Sequence, residues 1–152
     1  MSSLISIVDA SNDDYVAIKA LMAHVVLTSV SSDPLTERET LANVNRNIDL
    51  WKREPDRCVH LKAVGRDLLG IILVKDFWNL CSLFVDPRWH RQGIGRRLVE
   101  AAADRCRGRS PVDALLVNAA PNAIVFYERL GFTPRTTTQA LPPGVRAMQR
   151  PL

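Results

Sequence analysis

The stretch Trp89–Leu98, WHRQGIGRRL, sets two glycines one residue apart among basic side chains. An apolar run, Leu80–Val85, precedes it. Ile94, Leu98, Ala102 and Cys106 follow at helical spacing and stop near Gly108. A strand therefore passes into a helix through Gly93 and Gly95. A helix N-terminus offers unpaired N–H groups and a partial positive charge. Glycines let a ligand approach the backbone closely, so the turn reads as an anion site suited to phosphate, with Arg91, Arg96 and Arg97 adding charge. Two nucleotide cradles are excluded by the letters. The dinucleotide motif needs a third glycine where Leu98 stands, and it follows a first strand rather than a fourth. The triphosphate loop motif is absent.

Outward from this turn the chain alternates strands and helices. Leu4–Val8 is a short opening strand. Ser11 and Asp14 form a capping box, and Tyr15, Ile18, Leu21, Met22 and Val25 recur at helical period. Thr36 and Glu39 form a second capping box before Leu41, Val44, Ile48 and Trp51. Arg57–Val64, Leu68–Val74 and Trp78–Val85 are three strands with short connections, an antiparallel meander. Val112–Val117 is nearly all apolar and is expected to be central and buried on both faces. Pro121 opens a helix that ends at Gly131. Phe132–Thr138 and Val145–Gln149 read as closing strands. The expected fold is α/β: one mixed, mostly antiparallel sheet of six to seven strands flanked by about four helices, residues 1–152 forming a single domain.

Composition narrows the function class. The chain is 47% hydrophobic and 24% charged, with net charge +4. Its basic residues are scattered apart from those around 88–97 and 105–109, which suits an anionic ligand better than nucleic acid. Cys58, Cys81 and Cys106 are odd in number and lie in apolar contexts, as expected of free buried thiols. His24, His60 and His90 lack ligand spacing with acids or cysteines, so no metal is expected. The opening residues lack a basic region followed by a long apolar run, and no run approaches membrane-span length. The expectation is a cytoplasmic chain with no membrane partner.

Two stretches, LFVDPRWHRQGIGRRLV (Leu83–Val99) and LLVNAAPNAIVFYERLGF (Leu115–Phe132), resemble the GNAT superfamily of acyl-CoA-dependent N-acetyltransferases. The resemblance covers residues 68–132 closely and the remainder by element order. It rests on the glycine turn and on a helix ending in Tyr127, Glu128, Leu130, Gly131 and Phe132. It implies acetyl-CoA as co-substrate, with pantetheine laid along the third meander strand and bonded to backbone at Leu83 and Val85. The pyrophosphate would sit on the amides of Arg91, Gln92, Gly93, Ile94, Gly95 and Arg96. A bulge would splay that strand from its parallel neighbour, and a backbone N–H near Phe84 would polarise the thioester carbonyl. Tyr127 matches the family's acid for the leaving thiolate. An aromatic packed beside Phe126 and Phe132 is the alternative reading of that residue.

The chain also departs from the family pattern. His90 stands where Arg or Gln is usual. Ala120 stands where Asn is common, leaving Asn118 and Asn122 as substitutes. Asn79 lies where many relatives carry a basic glutamate. The base is therefore open among Glu37, Glu39, His60 and a water near Asn79. Trp51, Trp78 and Trp89 either line an acceptor groove or pack. The polar loop Ser29–Leu35 suits a lid. The expected acceptor is an amine, on a small molecule or a peptide. A non-catalytic acyl-CoA sensor and a nucleic-acid binder are the readings from other classes. An exposed strand at Phe132–Thr138 or Val145–Gln149 is compatible with a homodimer.

Overall fold

The computed structural model describes residues 4–30 and 33–152, residues 29 and 30 by backbone alone. In chain order come β1 (Ser6–Asp9), α1 (Tyr15–Val25), α2 (Pro34–Arg53), β2 (Cys58–Val64), β3 (Leu68–Lys75) and β4 (Asn79–Val85). Then follow α3 (Ile94–Cys106), β5 (Ala114–Ala119), α4 (Ile124–Arg129), β6 (Thr133–Pro134) and β7 (Arg146–Pro151). The strands make one seven-stranded sheet in the order β1-β2-β3-β4-β5-β7-β6. Only β4 and β5 pair in parallel; the other neighbours are antiparallel. The expected mostly antiparallel sheet with four helices is present.

The sheet carries a core on each face. β3 lies centrally and sends Ile72 and Val74 toward α3, Ile71 and Leu73 toward α1 and α2. Each such fully buried aliphatic chain contributes roughly 1.5–3 kcal/mol. α3 places Ile94, Leu98, Val99, Ala102, Ala103 and Cys106 on its buried stripe. Cys106 is buried, Cys58 and Cys81 are half-buried, and all three thiols are free.

Four expectations are corrected. α2 begins at Pro34 rather than at the Thr36–Glu39 box. Asp33 caps it, accepting from the Leu35 and Thr36 amides at 3.3 Å each. Pro34 suits the first helical position because its missing N–H would be unpaired there anyway. β5 starts two residues later than Val112, which is 54% exposed. It is also not buried on both faces: Leu115, Val117 and Ala119 are buried, whereas Asn118 is exposed. β6 is only two residues long, and Pro134 has no amide to extend the ladder. β7 lies between β5 and β6, so Met148 and Gln149 are already paired on both sides and offer no open edge. Of the suggested lid, residues 31 and 32 lie outside the described residues, while 26–30 continue α1 as a wide helical turn.

Candidate active site

The site begins with a strand irregularity. Leu73 pairs with Ser82 but Val74 pairs with Leu80, so Cys81 is one residue too many for the ladder. Such a bulge bends a strand and raises its twist. On the far side, β4 and β5 pair only through Asn79 and Leu116, braced by the Leu116 amide donating to the Trp78 carbonyl at 2.8 Å. Beyond that pair the strands diverge. The gap is a cleft of about 810 Å³. One wall is β4 from Leu80 to Val85; Val117 and Asn118 of β5 face it.

The Asp86 amide donates to the Leu69 carbonyl on β3 at 2.8 Å. Main-chain direction alternates along a strand, so Leu83 and Val85 aim their N–H and C=O groups into the cleft. Phe84 lines the cleft, but its main chain points the other way: its carbonyl lies 2.9 Å from where a Cβ on Gly70 would stand. The cleft-facing amides flanking Phe84 are therefore those of Leu83 and Val85.

The turn into α3 closes one end of the cleft. Asp86 accepts from the Arg88 amide at 3.0 Å and pairs with the Arg88 guanidinium at 2.9 Å, which holds its carboxyl below the usual range. Gly93 takes φ +75 and caps α3 without any side-chain hydrogen bond, so the first amides of the helix face the cleft mouth. Gly95 serves a different purpose: a Cβ there would lie 3.1 Å from the Phe126 ring. Arg91, Gly93, Ile94, Gly95 and Arg96 line the cleft, whereas Gln92 does not. His90 also lines it, and its Nε2 sits 3.1 Å from the Val85 carbonyl. The imidazole at this variant position therefore braces the end of β4.

α4 supplies Phe126, Tyr127 and Arg129 to the opposite wall. Tyr127 packs edge-on against Phe126 and Phe132, with centroids 5.2 and 5.1 Å away. Burial pushes its phenol up, so it stays protonated at neutral pH. Asn118, Asn122 and Trp89 line the cleft as well.

Glu37, Glu39, His60 and Asn79 are not among the described lining residues. His60 is buried against Trp51, ring centroids 4.3 Å apart, and burial pushes its pKa down to about 4. Trp51 thus packs in the core and lies outside this cleft, bordering a separate depression with Ala10 and Lys52. Among the described residues no carboxylate lines the cleft, and no group of His, Cys, Asp and Glu is arranged to hold a metal. No described helix is long and apolar enough to cross a membrane. Sequence reasoning missed Val25, Thr40, Cys81, Ser82 and Arg129, which also line the cleft. Burial pushes the Cys81 thiol up to about 12, so it stays protonated at neutral pH.

The family profile described as an acetyltransferase (GNAT) domain matches residues 34–147. The chain belongs to the GNAT family. Among curated relatives, the GNAT domain is 34% identical over 87 residues to the ribosomal protein bS18-alanine N-acetyltransferase of Salmonella typhimurium, covering 53% of this chain and 59% of that one. The chain spans about half the length of the curated relatives it matches. The GNAT fold is also that of a GCN5-related N-acetyltransferase from Rhodopseudomonas palustris, with TM-score 0.79, 17% identity and coverage of 100% and 99% of the two chains. The PaiA N-acetyltransferase of Thermoplasma acidophilum, solved in complex with coenzyme A, gives TM-score 0.74 at 17% identity, with both chains fully covered (100% and 100%).

Proposed function

We propose that this GNAT domain transfers an acetyl group from acetyl-CoA to an amine, by direct attack with both substrates bound. One observation carries the reading. A single cleft joins a free strand edge at Leu83 and Val85, the open N-terminus of α3, and the Tyr127 phenol. The residues fit the cofactor: Gly95 keeps open a space that a Cβ would narrow against Phe126. When bound, acetyl-CoA supplies the acyl group as a thioester whose thiol leaves.

The chain's residues divide the remaining work. The amides of Ile94, Gly95 and Arg96, with the charges of Arg91 and Arg96, hold the diphosphate. Leu83 and Val85 pair with the pantetheine amides as a neighbouring strand would. Because His90 already engages the Val85 carbonyl, Leu83 and the Val85 N–H carry that pairing. The Leu83 amide takes the role expected of an N–H near Phe84, polarising the reacting carbonyl. Asn118 and Asn122 supply polar contacts along the β5 side. Tyr127 donates a hydrogen bond to the leaving sulfur. A thiolate is a much weaker base than this phenolate, so the proton stays largely on oxygen.

With no carboxylate on the described cleft lining, an amine that is already neutral is favoured. An α-amino group, with pKa about 8, meets that need better than a lysine, with pKa about 10.4. The relatives named as bS18-alanine N-acetyltransferases act by name on a ribosomal-protein alanine, which places alanine-initiated peptides first in an acceptor panel.

The test is calorimetric titration with coenzyme A at low ionic strength, followed by release of free CoA thiol across peptides, polyamines, amino acids and small amines. Tyr127→Phe is expected to lower turnover about 100-fold or more, the cost of losing one donor to developing charge, while leaving coenzyme A affinity within about twofold. Absence of coenzyme A binding overturns the reading. The missing carboxylate supports one other reading, a non-catalytic acyl-CoA sensor, which predicts binding with no thiol release from any acceptor.

A further inference from the structure

The bulge in β4 does more than open the cleft. Leu80 and Leu83 both pack in the core beneath α3, although they are three apart. Cys81 and Phe84 pack on the opposite face, with α1 and α2. Because Cys81 is the extra residue, Ser82 shares the parity of Phe84 and turns to the α1–α2 side. There it lines the cleft together with Val25 of α1 and Thr40 of α2. Ser82 is 3% exposed, and its Oγ has only the Cys81 sulfur, a weak acceptor, beside it and makes no other hydrogen bond among the described residues. The neighbouring Cys81 thiol is directed to the Leu73 carbonyl, 3.5 Å away.

Buried hydroxyls are nearly always well paired, so one held only by a sulfur at the border of a cleft is complementary to something that enters it. The cofactor's polar groups already have partners in the proposed reading: the α3 amides at the mouth, and Leu83 and Val85 along the edge. The Ser82 hydroxyl lies on the other side of the sheet. We propose that Ser82 is a catalytic residue of the acceptor side, its Oγ accepting a hydrogen bond from the attacking amine. This rests on the acetyl-transfer reading above. The contact turns the nitrogen lone pair toward the thioester carbon. The C–N bond forms and the C–S bond breaks with its electron pair going to sulfur. The surplus amine proton passes to water, and Ser82 does not ionise.

Wild type is first shown to bind coenzyme A and to release thiol with an alanine-initiated peptide. If it does neither, the acetyl-transfer reading falls, and the Ser82 role falls with it. Given activity, Ser82→Ala is expected to lower kcat/KM for the peptide about tenfold or more, an effect typical of losing one hydrogen bond in a reacting complex. Coenzyme A affinity is expected to stay unchanged, and the melting temperature to stay the same or rise, since a weakly paired buried hydroxyl has been removed. Ser82→Thr, which keeps a hydroxyl, should recover part of the loss. Unchanged kcat/KM in Ser82→Ala overturns the proposal, as does a parallel loss of coenzyme A affinity. Should Ser82→Ala fail to fold, Ser82→Cys is read in the same assay, with the same expected loss and the same overturning results.

Discussion

Tyr127 packs as a core aromatic at a position compatible with both roles read from the sequence. Its ring is a core aromatic between Phe126 and Phe132, and it borders the cleft. The packing fixes the ring, and the accompanying desolvation keeps the phenol protonated. His60 shows the opposite outcome: it is buried beside Trp51, and neither ring nitrogen has a hydrogen-bond partner among the described residues. Its folded pKa of about 4 lies below the unfolded value of about 6.5, so the unfolded chain binds more protons between those limits. Stability is therefore full above about pH 6.5 and falls as the pH drops toward 4, by about 1.4 kcal/mol per unit and roughly 3 kcal/mol in all. Denaturant titrations from pH 7 to 4 should show this slope, and His60→Leu should flatten it. An equal slope in the variant would refute that assignment. Tyr127 was legible because its neighbours Glu128, Leu130, Gly131 and Phe132 are distinctive letters. Ser82 was not legible, because its direction depends on a bulge and a strict alternation would place it on the other face.

At the scale of elements, the strand–turn–helix from β4 to α3 was readable because each residue type has a local reason. Asp86 and Pro87 stop the strand, Gly93 supplies the left-handed backbone, and Gly95 makes room. The two glycines should separate experimentally. Gly93→Ala meets no neighbour but must adopt φ +75, so it should cost about 1–2 kcal/mol of stability, measured by denaturation. Gly95→Ala keeps an ordinary helical backbone but presses on Phe126, so it should weaken coenzyme A binding several-fold with little loss of stability. Equal stability losses in the two variants would contradict this division. Other elements were less legible. A run of apolar letters from Val112 hides where pairing begins, because Ser110 holds the preceding turn, bonding the Ala114 carbonyl at 3.0 Å. The α2 start was hidden by two overlapping caps, of which Asp33–Pro34 is the one used.

Across the whole molecule, α3 ties the two halves of the split sheet together. Arg105 reaches Asp9 of β1 at 2.8 Å, and Glu100 accepts from Arg150 of β7 at 2.8 Å. These surface pairs are worth at most about 1 kcal/mol each, so the buried stripe of α3 carries most of the connection. The element order and the two-faced core were legible from periodicity. The divergence of β4 from β5 was expected only through the family resemblance, because no residue in either strand records how few pairs they share. A ligand filling the cleft should stabilise the fold: coenzyme A at a hundredfold its Kd should add about 3 kcal/mol to the unfolding free energy. A thermal-shift series checks this, and no shift at that excess would argue against a preformed site.

Exposed backbone at the rim of a sheet invites other proteins to add on and aggregate. Here the unsatisfied rung lies indoors, between β4 and the facing wall of β5. A second protein's strand arrives with its own sheet behind it and is too thick for such a slot. A lone, slender chain bearing amides can slide in. The narrowness thus acts as a sieve, letting the molecule keep a row of unquenched donors and acceptors permanently on offer without becoming sticky.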